Sequence, residues 1–160
     1  MRSKRTKLNR DLIDAVVMRD IAKAKESLSL GADVNARDAE HNETPLIFAA
    51  KFADAGIVRL LLNAEADVHA QDDQGRTALY FAPVSSEVFR LLVEAGANPH
   101  AIDGEGNTIL MRKVSDSPSL NEVEELLQLG IDPSLRNADG ETALDIAESL
   151  GLVKIVERLN

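Results

Sequence analysis

The sequence predicts an all-α protein, a stack of helix–turn–helix units with projecting loops, and three observations predict it. A skeleton of Asp-Val, Gly-x-Thr, Leu and Ala, clearest in residues 66–82 as Asp67-Val68, Gly75-x-Thr77, Leu79 and Ala82, recurs along the chain. The other copies are Asp33-Val34 with Thr44-Pro45-Leu46 and Ala49, Asn98-Pro99 with Gly106-x-Thr108 and Leu110, and Asp132-Pro133 with Gly140-x-Thr142, Leu144 and Ala147. The four threonines are separated by 33, 31 and 34 residues, a period that marks stacked repeats.

Each part of the unit has a physical reason. Gly75, Gly106 and Gly140 stand in short polar runs where a turn needs positive φ. The following threonine suits the cap of a first helix, and Pro45 stands where a missing N–H costs nothing. A second helix follows in Ile57, Val58, Leu60, Leu61 and Leu62, and again in Val88, Phe89, Leu91, Leu92 and Val93. Two short helices cannot bury such a stripe alone, so each unit needs neighbours.

In chain order, residues 1–7 read as a basic, disordered tail and 8–160 as one domain. Residues 8–37 form a terminal cap of two helices, lined by Leu12, Ile13, Val16 and Val17 and by Ile21, Ala24, Leu28 and Leu30, with Gly31 ending the second. Repeats follow at about 38–71, 72–102 and 103–138, with a C-terminal cap over 139–160. The loop before Thr44 is one residue longer than the others, and in the second unit Pro83 should end the first helix early. Lys113 occupies a slot filled elsewhere by Ala49, Ala82 and Ala147, which predicts an outward-reaching stem beside a flexible connector at 115–120.

These residues closely resemble the ankyrin repeat family. Its T-P-L-H-x-A signature appears as TPLIFA from Thr44, TALYFA from Thr77 and TALDIA from Thr142, with TILMRK from Thr108 the weakest match. Its G-A-D-V-N stretch is intact from Gly31 to Asn35 and recurs as EADVH, GANPH and GIDPS. The resemblance implies an ankyrin-type helical solenoid with β-hairpin-like loops, which binds other proteins through the concave face of loop tips and first helices.

Composition narrows the function. There is no cysteine, so no disulfide framework and no thiolate chemistry. No run approaches 18 apolar residues, so no membrane span is expected. Acidic residues 11 and 14 interrupt the first apolar segment and argue against a secretory signal; the expected location is the cytoplasm. Residues 1–10 carry five basic groups and no acid, which leaves 13 basic against 27 acidic residues in the remainder, a formal −14. A body of that charge argues against nucleic-acid binding, although the basic tail keeps it as a remote alternative.

No catalytic or cofactor constellation is legible. His69 and His100 hold equivalent positions but lack a third ligand, and the acidic loops fail calcium spacing because Phe81, Arg112 or Ile146 falls where a bidentate Glu is required. Gly104-Glu105-Gly106 is half of a dinucleotide fingerprint with Ile109 at the third glycine position. Asn42-Glu43-Thr44 matches a glycosylation sequon but reads more simply as a turn and cap. The expectation is therefore no enzyme, no cofactor and no metal.

What remains is a surface. Carried over by position from the ankyrin resemblance, the partner-binding candidates are Glu43, Lys51, Phe52, Asp73, Gln74, Arg76, Tyr80, Glu105, Asn107, Asp139 and Glu141. Phe52 is an anchor candidate if exposed; the alternative is that it folds back onto Phe48 and Phe81. The acid excess among loop tips points to a partner protein with a basic patch, for an adaptor or for an inhibitor of the kind that neutralises a bacterial toxin. The chain is expected to be a monomer, with association through the apolar C-terminal segment 152–159 as the alternative.

Overall fold

The computed structural model describes the backbone of residues 2–160 and the side chains of residues 4–160. Among them are ten α-helices and no strand: α1 (Arg2–Val17), α2 (Ile21–Ser29), α3 (Pro45–Lys51), α4 (Ala55–Asn63), α5 (Ala78–Phe81), α6 (Glu87–Glu94), α7 (Ile109–Asp116), α8 (Leu120–Gln128), α9 (Ala143–Ser149) and α10 (Val153–Leu159). They fall into two compact units, Met1–Ala97 and Asn98–Asn160.

In the first unit α1, α3 and α5 pack side by side as one row, and α2, α4 and α6 as a second row behind it. The seam between the rows is aliphatic: Leu12, Val16, Ala24, Leu46, Ile47, Ile57, Leu61, Leu79 and Leu92 are all buried. In the second unit α7 packs on α9 and α8 on α10, over Leu110, Met111, Val114, Val123, Leu126 and Ala147. The small, repeated side chains let short helices approach closely, and each pair is completed by its neighbour.

Helix starts follow the residue types. Thr44, Thr108 and Thr142 accept the N–H of Ile47, Met111 and Asp145, while Asp20, Asp54, Ser86 and Ser119 cap the second helices. Thr77 differs from the expected pattern. Its helix is a single turn, and the Tyr80 N–H is taken by the Thr77 carbonyl at 3.1 Å, so the hydroxyl makes no cap. Ala82, held extended before Pro83, stops α5 as anticipated.

Three expectations are corrected. The basic segment is not a free tail among the described residues: α1 begins at Arg2, because Arg and Lys are good helix formers, and Arg5 pairs with Asp33 at 3.3 Å. Met1 lies outside the described residues. The connector between α7 and α8 is shorter than expected, since Ser115 and Asp116 complete α7. Lys113 is buried rather than reaching outward, and burial lowers its pKa although Glu122 and Asp116 favour the charged form.

Candidate protein-binding face

Each loop that precedes a first helix is a closed turn built on one side chain. In the second loop the Asp72 N–H donates to the Arg76 carbonyl at 3.0 Å, and Asp72 Oδ1 accepts from the N–H groups of Gln74 and Arg76, both at 2.9 Å. Asp103 does the same for Glu105 and Asn107, and Asn137 for Asp139 and Glu141. The longer first loop is gathered by Asp38, which accepts from Glu43 at 2.6 Å and from Glu40 and His41. Burial pushes the Asp38 carboxyl up, but the N–H groups of Glu43, Glu40 and His41 together hold it below the ordinary carboxylate value.

Neighbouring loops are bonded within each unit. The Asp73 N–H donates to the His41 carbonyl at 3.1 Å, and Arg37 bridges the carbonyls of Asn42 and Gln71 at 2.7 and 2.6 Å. In the second unit the Ala138 N–H donates to the Glu105 carbonyl at 2.8 Å and Asn137 Nδ2 to Asn107 Oδ1 at 3.0 Å. The tips are thus hairpin-like without ladder pairing; the only bridge among the described residues joins Ile102 and Thr108.

This geometry sorts the sequence candidates. In the first unit Asp73 and Gln74 are exposed at the second tip, beside Glu40 and His41 of the first. Phe52, the C-cap residue of α3, is 40% exposed, so it does not fold away. The Lys51 side chain is 30% exposed, but its ammonium is paired with Glu43 and lies 4.6 Å from the centre of the Phe81 ring. In the second unit Glu105 and Asp139 are exposed and Glu141 is half-buried, around an open cleft of about 260 Å³ that also meets Arg112 and Leu150.

Four candidates prove to face inward. Glu43 is 1% exposed, Tyr80 8% and Asn107 7%. Arg76 is turned onto Asp72, with its Nε 2.8 Å from Oδ2, and its guanidinium lies over the Phe81 ring at 4.8 Å. The reason is positional. The residue before each threonine closes its turn by accepting from the gathering Asp or Asn, so Glu43, Arg76, Asn107 and Glu141 start beneath the tip. The residue three after Thr44, Thr77 and Thr108 lies under the first helix as Ile47, Tyr80 and Met111, whereas Asp145, three after Thr142, is partly exposed and caps α9.

The gathering residues Asp38, Asp72, Asp103 and Asn137 escaped the sequence reading. Their signal was present, an Asp or Asn five residues before Thr77, Thr108 and Thr142 and six before Thr44.

Among the described residues no helix is long and apolar enough to cross a membrane, and no group of three or more His, Cys, Asp or Glu could hold a metal.

The chain matches the family model described as ankyrin repeats (3 copies) over residues 12–103, and the one described as ankyrin repeats (many copies) over residues 92–147. It belongs to the ankyrin repeat family, whose members are generally non-catalytic protein–protein interaction modules. It is 47% identical to neurogenic locus notch homolog protein 2 of Homo sapiens over 53 residues, 32% of this chain and 2% of that protein. It is 45% identical to notch homolog protein 1 of Xenopus tropicalis over 56 residues, 35% of this chain, and 46% identical to the Notch protein of Drosophila melanogaster over 55 residues, 34% of this chain. The matched segment is about 2% of the length of each of these relatives.

Proposed function

We propose that this chain is a non-catalytic adaptor or inhibitor that binds another protein carrying a basic patch, through the face made by its loop tips and first helices. The observation that carries the reading is a separation of charge within the loops. Arg76, the one strong base among the mapped tip residues, is tied down by Asp72, whereas Glu40, Asp73, Glu105 and Asp139 stand in solvent. What a partner meets at the tips is therefore acidic, and such a surface attracts basic proteins and speeds encounter. Phe52 supplies an apolar contact beside them. The repeats acting as one domain that begins with α1, a monomeric state and a cytoplasmic location complete the reading.

The test is affinity capture from native extract with the wild type and with an Asp73→Lys, Glu105→Lys variant, each at low and at physiological salt. A basic protein retained by the wild type and lost by the variant is the expected outcome. Partners captured equally by both would remove the tips from the binding face.

A further inference from the structure

The contacts around Lys51 have the form of a recognition site already filled. Glu43 is almost wholly buried, yet its carboxylate has one cationic partner, the Lys51 ammonium. That ammonium lies 4.6 Å from the Phe81 ring centre and 5.7 Å from that of Phe48. Two aromatic faces and a buried carboxylate are what a desolvated ammonium requires: the rings offer negative quadrupole and the carboxylate accepts its N–H. The occupant can leave without a change of backbone. Lys51 is the last residue of α3 and its side chain is 30% exposed, so rotation about its own bonds can withdraw it without unwinding the helix.

We propose that Glu43, Phe48 and Phe81 form a site for a primary alkylammonium, the lysine side chain of a partner protein, which the chain's own Lys51 occupies in the unbound state. Exchange replaces one ammonium by another on the same carboxylate, so Glu43 is a compensated buried charge in both the unbound and the bound state. The need to donate an N–H to Glu43 selects a primary amine over a quaternary one. Arg76, although it shares the Phe81 ring, is held by the buried Asp72 and stays in place. The identity of the incoming lysine rests on the protein-binding reading above; the cation site does not.

The test therefore needs no partner. Lys51→Ala in the full chain vacates the site, and n-butylammonium replaces what was removed. Its addition is expected to raise the melting temperature of the variant saturably, by about 3 °C or more at tenfold excess over its dissociation constant. Butan-1-ol and tetramethylammonium should not do so, nor should n-butylammonium act on Lys51→Met, whose stem fills the space. A second variant guards against poor folding. Because the chain has no cysteine, Lys51→Cys can be alkylated in denaturant and refolded. An S-aminoethyl group should restore wild-type melting and an S-ethyl group should not. Equal shifts from the alcohol or the quaternary ion, the same shift in a Glu43→Gln, Lys51→Ala double variant, or restoration by both adducts would overturn the proposal. Failure here leaves the acidic tips and their capture experiment untouched.

Discussion

The Arg76 guanidinium meets the Asp72 carboxylate at 2.7 Å inside the second loop, with Asp72 fully and Arg76 largely removed from solvent. Asp72 thereby holds both the turn, through two backbone N–H groups, and the only strong base of that tip. Removing one partner of a buried pair strands the other, at about 3–5 kcal/mol. Asp72→Ala is expected to cost about 3 kcal/mol or more in urea melts, and Asp72→Asn less, because its amide oxygen still accepts from Gln74 and Arg76. A loss below about 1 kcal/mol for the alanine variant would show that the loop does not depend on this pair.

The seam between helix rows sets a second expectation. Leu61 of α4 and Leu79 of α5 are buried to within 2%. Leu→Ala at either position should cost about 2–5 kcal/mol, enough to threaten a stack in which each pair relies on the next. Denaturant melts of the two single variants check it, and a cost under half a kcal/mol would mean that the seam repacks freely.

Glu65 offers a change in the other direction. It sits just past α4 with φ +63°, where the corresponding chain reversals carry Gly31 at +95° and Gly96 at +94°. A left-handed residue with a Cβ costs roughly 1–2 kcal/mol, offset in part by the greater unfolded-state freedom of glycine. Glu65→Gly should therefore stabilise by a few tenths to about 1 kcal/mol, and Gly96→Ala should destabilise. Thermal melts that moved in the opposite directions would remove backbone strain as the reason.

Two titrating groups predict opposite ends of the pH profile. The folded pKa of Asp38 is depressed, so its stabilisation is present above the unfolded value of about 3.9 and is lost as pH falls through the folded one. Asp38→Asn should flatten the acid limb below about pH 4. Lys113 is also depressed, but as a base: the unfolded chain holds its proton more tightly, so stability rises with pH between the folded value and about 10.4. Lys113→Met should remove that alkaline rise while staying within about 1 kcal/mol of the wild type at pH 7 or above it. Urea midpoints from pH 3 to 10.5 read both.

Much of the fold was legible because it depends on residue type at fixed spacing. The threonine period marks the starts of α3, α5, α7 and α9, and Pro83 the truncation of α5. The binding face was less legible because it depends on side-chain direction within a turn. Asp72 and Asp73 are adjacent and identical in type, yet one closes the turn and the other meets solvent. Tyr80 could have been placed inward from Ile47 and Met111, which occupy its position in other units and are both apolar. Glu43 could not: its burial needs Lys51, and the ion pair joins residues eight apart whose approach only the completed loop and helix define.

The partner interface should divide its energetics between charge and contact. Asp73 at one unit's tip and Glu105 at the other's are exposed acids, and the Glu105 carboxylate accepts from Asn107 Nδ2 at 3.2 Å. Exposed charges act mainly on encounter, so Asp73→Lys with Glu105→Lys should slow association and flatten its salt dependence, leaving dissociation nearly unchanged. Phe52 is a partly exposed ring at the end of a helix, and an aromatic buried by a partner is a typical centre of binding energy. Phe52→Ala should raise koff by an amount equivalent to about 2 kcal/mol and leave the on-rate and its salt slope as they were. Stopped-flow association and dissociation of the captured partner at two or more salt concentrations separate the two effects. A partner that binds without salt dependence and ignores all three changes would sit elsewhere, and Leu150 at the end of α9 and Val153 at the start of α10, both exposed, are the next residues to substitute.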